Sequence, residues 1–329
     1  MSVAQLRQRV LQTNGSDFES LALDLFQYQA AHNPTYRKYL QLIGRSPDAV
    51  RTVAAIPFLP IQFFKNRLIQ SGKWQPLQAF TSSGTTGART ARHPVRDPKY
   101  YLKITERCFQ SAYGKSPAEC CWLALLPSYL ERTGSSLILM VDHFIRESKY
   151  DQSGFFLNDQ EALLERIADC QRKNIPTILL GVSFALLDLA ENFAPDLSGI
   201  TVMETGGMKG RRKEITRTEL HQILTTSFNV PQIHSEYGAT ELFSQSYSTG
   251  RGIFHPNATF RAFTRDVTDP LHPRTDARTG ALNLIDLANL DTISFLATDD
   301  LGRVYPNGTF EVLGRLDTSD IRGCNLLVI

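Results

Sequence analysis

Apolar and polar positions follow one period along the first seventy residues and another after them. The opening stretch has helical spacing. Phe18, Leu21, Leu25 and Phe26 fall near one face, and Ser16 with Glu19 three residues on has the form of a capping box. Asn33-Pro34 begins a further helix with proline at its first position, where the missing N–H costs nothing, and Gly44 closes it. In Ile56-Pro57-Phe58-Leu59-Pro60-Ile61 two prolines forbid an ordinary helix and predict an extended apolar connector packed into a core.

From Phe80 onward short apolar runs alternate with helical stretches. Residues 121–126 (ended by Pro127), 176–181, 200–203 and 231–234 predict strands. A helix runs from Asp97-Pro98 towards Ala112, another covers 134–140, and 161–172 is a third with Leu163, Leu164 and Ile167 inward. Such alternation predicts an α/β fold, a mostly parallel sheet flanked by helices. After Ala262 the helical period disappears, and 281–287 and 293–297 predict strands joined by turns. The chain thus divides into a helical region packed on the core (1–79), an α/β core (80–262) and a small β-rich subdomain (263–329).

Composition narrows the class. With 329 residues, 42% hydrophobic and 21% charged, the chain can bury a sizeable core in about two domains or one fused unit. A net charge of +2 argues against a protein built around nucleic-acid phosphates. The one dense basic run, Lys209-Gly210-Arg211-Arg212-Lys213, is followed by Glu214 and predicts a solvated helix start. No stretch of about 18 apolar residues could span a membrane, and the N-terminus lacks a signal-peptide core, so a cytoplasmic address is expected. Five cysteines without a CxxC pair predict reduced thiols and no zinc site.

The chemistry concentrates in Thr81-Ser82-Ser83-Gly84-Thr85-Thr86-Gly87, seven consecutive glycine or hydroxyl residues after Phe80. Glycine lets backbone N–H groups approach an anion and hydroxyls add uncharged donors, which suits a phosphate. A flexible linker is the other reading, and the shortness of the loop between ordered segments counts against it. No Gly-Lys-Ser/Thr follows, so the loop is not of the Walker type.

Ser82 to Gly87 resembles the phosphate loop of the adenylate-forming, acyl-activating enzymes. Glu236-Tyr237-Gly238-Ala239-Thr240-Glu241 resembles their YGxTE segment. Thr298-Asp299-Asp300-Leu301-Gly302 resembles a TxDLG segment, and Gly314-Arg315-Leu316-Asp317 the hinge motif GRxxD, all in the order that superfamily requires. Within it, Ile56 to Ile61 with Phe63-Phe64-Lys65, Leu126-Pro127-Ser128-Tyr129 with Gly134-Ser135-Ser136-Leu137, and Arg322-Gly323-Cys324 are similar to the LuxE-type acyl-protein synthetases, long-chain-fatty-acid–protein ligases.

The resemblance implies the large domain of that fold and an ATP- and Mg²⁺-dependent ligase. It would adenylate a fatty or related carboxylic acid and carry the acyl group on its own Cys324, for an acyl-accepting or acyl-reducing protein partner. Thr81, Ser82, Ser83, Gly84, Thr85, Thr86 and Gly87 would hold the pyrophosphate. Thr240 would bond the α-phosphate and Glu241 would ligate Mg²⁺. Tyr237 would lie against adenine, flanked by Glu236 and Gly238, with Gly206-Gly207 leaving room for the base edge. Asp299 and Arg315 would bind the ribose hydroxyls. Taken singly, Gly206-Gly207 is equally a turn after a strand, and Asp299-Asp300 a hairpin acid pair.

Cys324 follows Gly323 and the cationic Arg322, a setting that favours thiolate, whereas Cys108, Cys120, Cys121 and Cys170 read as small buried hydrophobes. His143 and His234 read as structural histidines, and Leu137, Ile138, Met140 and Val141 as a core face able to line an acyl pocket. The pattern departs from the superfamily in two ways. Ala88-Arg89 stands where Pro-Lys is usual, so Arg89 would supply the lysine's charge. The mobile C-terminal domain with its adenylation lysine is expected to be absent. Competing functions are an acyl- or aryl-CoA ligase, a non-adenylating acyl carrier and a nucleotide-binding protein.

Overall fold

The computed structural model describes residues 2–82, 90–127, 133–207, 212, 215–274 and 276–316. Three helices lead: α1 (Val3–Gln12), α2 (Phe18–His32) and α3 (Pro34–Leu42). Asn33 caps α3 through its side chain, which accepts from Tyr36 N at 3.0 Å, with Pro34 at the first helical position. The box expected at Ser16 does not form. Gly15, with φ +92°, turns the chain so that Asp17 is the N-cap of α2, and Asp17 is engaged by Thr13 and Arg9 instead.

Next come β1 (Leu59–Pro60), α4 (Phe63–Asn66), the hairpin strands β2 (Gln78–Thr81) and β3 (Arg92–Val95), and α5 (Pro98–Tyr113). The core continues with β4 (Cys121–Leu125), α6 (Ser136–Glu147), β5 (Gly154–Phe155), α7 (Gln160–Arg172), β6 (Thr177–Val182), α8 (Ser183–Asn192), β7 (Thr201–Thr205), α9 (Arg217–Phe228), β8 (His234–Tyr237) and β9 (Ser246–Ser248). Helix α6 runs past the expected end at 140, because Val141 and Phe144 keep its buried face going. The strand expected at 231–234 starts where that range ends, since β8 pairs with β7 only over 234–236.

The core sheet has the order β5-β4-β6-β7-β8-β9, parallel throughout except for β9. Its central strands are buried on both faces, so they read as continuous apolar runs, not alternating ones. From β4 the chain steps outward to β5 and then back past β4 to β6. That reversal opens a crevice at the carboxyl ends of β4 and β6, where open α/β sheets bind ligands.

The last strands are β10 (Ile253–Phe254), β11 (Phe260–Arg265), β12 (Pro273–Arg274), β13 (Gly280–Asp286), β14 (Phe295–Val304) and β15 (Phe310–Arg315). They form a second sheet, β10-β15-β14-β13-β11-β12, antiparallel throughout. The two-proline connector joins it as β1, which pairs parallel to the first half of β14 through Leu59 and Leu296, while β15 takes the second half. Proline is tolerated there because β1 is an edge. Helices α2 and α3 cover this sheet. Phe26 and Tyr36 pack on Phe295, and the buried Gln29 donates to Asn289 O at 3.1 Å and accepts from Ser294 N at 3.0 Å.

Cys108, Cys120, Cys121 and Cys170 are free and buried; burial pushes the Cys108 thiol up to about 12. Among the described residues no helix is long and apolar enough to cross a membrane.

Candidate active site

A cavity of about 220 Å³ lies at that carboxyl edge. Its walls come from the ends of β4 (Leu126, Pro127), β6 (Val182), β7 (Thr205, Gly206) and β8 (Glu236, Gly238, Ala239, Thr240), from Thr81 and Ser82 on the hairpin, and from the start of α6. Of the apolar helix face, Leu137, Ile138 and Met140 line it, and Val141 is buried beside them.

The glycine- and hydroxyl-rich loop is the connection between β2 and β3, and both its ends are fixed. Thr81 pairs with Arg92 across the ladder, Ser82 N donates to Ala91 O at 3.2 Å, and Ala91 N donates to Ser82 Oγ at 2.9 Å. Thr81 N also donates to Gly134 O at 2.8 Å. Gly134 has φ +79°, and a Cβ there would stand 3.0 Å from Thr81 Oγ1. Ser83, Gly84, Thr85, Thr86, Gly87 and Arg89 lie outside the described residues, as does Cys324.

The segment after β8 is held by groups the sequence does not flag. His93, fully buried on β3, donates from Nδ1 to Thr240 O at 2.8 Å, so Nε2 accepts from Thr292 Oγ1 at 3.0 Å. Burial lowers this imidazole to about 4, and it stacks on Phe243 at 4.9 Å. Asp286 completes the clamp by accepting from Phe243 N at 2.7 Å and Ser244 N at 2.9 Å. A histidine between Arg92 and Pro94 carries no local signal; only its position opposite Phe80 in the hairpin marks it as inward.

Glu241 and Glu236 are both buried carboxyls, and burial pushes each up to about 7. Glu236 Oε2 accepts from Thr205 Oγ1 at 2.5 Å, which partly offsets burial. Its Oε1 lies over Gly238, where a Cβ would approach to 2.6 Å, so a side chain there would displace the Glu236 carboxyl. Glu241 makes no ion pair among the described residues. Its backbone O accepts from Asn289 Nδ2 at 2.7 Å, which fixes the residue, and its carboxyl accepts from its own backbone N–H. A nearly buried carboxylate without a cation is a fit for a hard divalent ion that takes its remaining ligands from phosphate and water. Among the described residues no group of three or more His, Cys, Asp or Glu could hold a metal without such help.

Tyr237 is buried among Phe254, Phe260 and Phe310, and its hydroxyl donates to Asp300 Oδ2 at 2.7 Å. Arg315 Nε reaches Asp300 Oδ1 at 3.3 Å from an otherwise exposed side chain. Burial raises Asp300, against the opposing effects of Tyr237 and Arg315. Asp299 points to the other face of β14, where Gln62 donates to it. The structure therefore brings Asp300, and not Asp299, to Tyr237 and Arg315. The sequence held that signal: in a TxDLG segment anchored at Thr298, the aspartate is two residues on.

Gly206 has φ +70° and its carbonyl accepts from Ser183 Oγ at 3.1 Å, while Gly207 has open space around it. Behind β7 and β8, Arg217 Nε donates to the buried Glu204 at 3.0 Å and its Nη1 donates to Val312 O at 2.7 Å. The His221 hydrogen bond and the Arg217 charge outweigh burial and hold Glu204 below the usual carboxylate range.

Other candidates sit elsewhere. His143 pairs with Glu106 at 2.5 Å between α6 and α5. His234 starts β8, at the end remote from the cavity, and meets Tyr113 Oη at 2.9 Å. Of the basic run only Arg212 is described, and it pairs with Asp188 and Glu191, while helix α9 starts at Arg217 behind a capping box of Thr216 and Glu219.

No protein-family profile and no curated protein matches the chain. Among solved structures it is similar to 2-hydroxyisobutyryl-CoA ligase in complex with 2-HIB-AMP and CoA, with a TM-score of 0.64 at 14% identity over 97% of this chain and 70% of that one. ATP-bound MatB from Rhodopseudomonas palustris gives 0.54 at 16% identity over 86% and 58%. The long-chain-fatty-acid-CoA ligase FadD1 from Archaeoglobus fulgidus gives 0.50 at 14% over 72% and 51%. The chain spans about half to 70% of the length of the structures it matches. The fold is that of the adenylate-forming enzymes.

Proposed function

We propose that this protein is an ATP-dependent ligase that adenylates a fatty or related carboxylic acid and transfers the acyl group to Cys324 as a thioester, for delivery to a partner protein. The observation that carries the first half is the convergence of Thr81 and Ser82, Gly206, Glu236, and Gly238 through Thr240 on one cavity at the switch point of the sheet. The second half rests on the likeness of Arg322-Gly323-Cys324 to the acyl-protein synthetases.

Adenylation asks no nucleophile of the protein. A carboxylate oxygen bonds the α-phosphorus as the bond from that phosphorus to the bridging oxygen of pyrophosphate breaks, so positioning and charge neutralisation are what the site supplies. The loop between β2 and β3 would cradle the departing pyrophosphate, with Arg89 adding charge. Thr240, held at its carbonyl by His93, would donate to the α-phosphate. Tyr237 and Gly206-Gly207 would bound the adenine, and Asp300 with Arg315 the ribose hydroxyls. Glu241 would hold Mg²⁺, which supplies charge neutralisation at the phosphates when bound. In the second step the Cys324 thiolate attacks the acyl carbonyl and AMP leaves with the bonding pair.

A second reading, transfer to coenzyme A, is favoured by the likeness of the fold to 2-hydroxyisobutyryl-CoA ligase and to a long-chain-fatty-acid-CoA ligase. One experiment separates them: intact-protein mass after incubation with Mg²⁺ and mixed fatty acids, with and without ATP, beside Cys324→Ser and a parallel arm containing coenzyme A. An ATP-dependent mass gain, absent in the variant and removed by neutral hydroxylamine, is the expected result. Free acyl-CoA without protein acylation would replace the proposal with the second reading.

A further inference from the structure

A second cavity, of about 390 Å³, lies between α4 and the hairpin strands β2 and β3. Lys65, Arg67 and Arg92 line it over a floor of Phe64, Ala79 and Pro94. Among the described residues its wall has no carboxylate, and none of the three cations makes an ion pair or a side-chain hydrogen bond. Like charges gathered without a counter-charge repel one another, so the arrangement fits an anion that arrives from outside.

The register of the hairpin joins this cavity to the one at the sheet edge. Arg92 pairs with Thr81 and Pro94 with Ala79, and residues paired across an antiparallel ladder present their side chains on one face. Thr81 lines the first cavity and Arg92 the second, so the two adjoin at that pair. The α4 side is tied to the same site. Ile61 N donates to Ala297 O at 2.9 Å, Gln62 donates to Asp299, and the Phe64 ring lies 5.2 Å from that of His93, which holds Thr240. Lys65 follows directly. Burial is what raises Glu241, and the charges of Arg315 and Lys65 act against it. Lys65 is therefore near Glu241 without forming an ion pair with it, and a space separates the two.

Resting on the adenylation reading, we propose that this second cavity receives the polyphosphate end of ATP and then inorganic pyrophosphate, with Lys65 and Arg92 as the binding cations. As the carboxylate oxygen bonds the α-phosphorus, the bonding pair of the broken P–O bond leaves on the pyrophosphate, and the two cations meet that charge. Arg67 lines the same wall but is tied to neither Thr81 nor Glu241, which makes it the internal comparison.

The test uses the full-length chain and inorganic pyrophosphate with Mg²⁺, read by calorimetry, with AMP and coenzyme A as comparison ligands. Lys65→Met and Arg92→Met should each weaken pyrophosphate binding by about tenfold, and the double variant by more, with AMP affinity unmoved. Both side chains are exposed, so the substitutions leave the core intact. Lys65→Arg, which keeps the charge, should retain part of the affinity, and Arg67→Met should lose far less. ATP–pyrophosphate exchange with mixed fatty acids runs in parallel, where the KM for pyrophosphate should rise without a matching rise in the KM for the acid. Pyrophosphate binding that needs Lys65 and Arg92, with no exchange for any acid, would overturn the adenylation reading and leave this site standing. Three results would overturn the inference itself: no pyrophosphate binding by wild type, wild-type affinity in the double variant, or a loss confined to coenzyme A.

Discussion

At the scale of single residues, two buried carboxyls dominate. Glu241 and Glu236 sit near 7 because burial disfavours their charged forms. Between an unfolded value near 4.5 and 7 the folded chain keeps a proton that the unfolded chain has released, so each group's contribution falls as pH rises through that window. Glu241→Gln removes one such contribution. In urea unfolding without Mg²⁺ or nucleotide, the variant should exceed wild type by about 2 kcal/mol at pH 8, with the gain shrinking towards pH 5. The same variant should lose ATP–pyrophosphate exchange; a stability gain that does not grow with pH would mean the carboxylate is already satisfied. The two adjacent aspartates give a sharper contrast. Asp300→Asn disturbs the group that Tyr237 and Arg315 both touch, whereas Asp299 meets Gln62 on the opposite face. The first should raise the KM for ATP by on the order of tenfold, as expected for a lost charge-assisted contact, and the second by far less. A larger effect from Asp299→Asn would return the ribose role to that residue.

At the scale of elements, the hairpin β2–β3 joins fold to chemistry. Its loop carries the sequence proposed to cradle phosphate, and its inward residue His93 grips the carbonyl of Thr240 on the facing segment. Because burial depresses His93 to about 4, the unfolded chain takes up a proton below 6.5 that the folded chain refuses, and stability is lost as pH falls from 6.5 towards 4. That loss offsets about half of the gain from Glu236 and Glu241 over the overlapping window, so wild type should still gain stability as pH falls from 6.5 to 4.5, but less than the two carboxyls alone would give. His93→Asn should steepen that gain relative to its own neutral-pH value, at an overall cost of about 2 kcal/mol from the lost packing and one lost bond. A pH profile no steeper in the variant than in wild type would remove His93 from this balance. The sequence made the hairpin's loop legible through its composition and the following strands through their apolar runs. It did not show His93, Asp286 or Gln29, because a buried polar residue is recognised by the backbone group it satisfies, and that partner lies far away in the chain. The shift of β8 to 234–237 has the same origin: ladder pairing with β7, not local hydrophobicity, sets where the strand begins.

At the scale of the molecule, the parallel core sheet and the antiparallel sheet meet behind the site, and Arg217 spans them. Its guanidinium binds Glu204 at the end of β7's buried face and Val312 O on β15, the strand that ends in Arg315, and it lies 5.2 Å from the centre of the Phe254 ring. The alternation of elements foretold two sheets of different kind, but no periodicity encodes which side chain couples them. Arg217→Met keeps much of the apolar stem and deletes the charge. Glu204, only 2% exposed, would then retain the His221 ring at 3.5 Å but lose its guanidinium partner, and breaking a buried pair in this way costs about 3 kcal/mol. The sign with pH follows from Glu204. In wild type its depressed value contributes stability above the unfolded value, lost as pH falls through the folded one. In the variant the carboxylate is under-compensated, so the penalty should be largest at pH 7.5 and shrink towards pH 5 as the group takes up a proton. Adding Glu204→Gln should recover part of the loss, which a double-mutant cycle in urea would read as a coupling of about 1–3 kcal/mol. Because Val312 sits three residues before Arg315, the single variant should also raise the KM for ATP more than it lowers kcat. A purely additive cycle, or an unchanged KM, would mean the two sheets hold their relation through apolar packing alone.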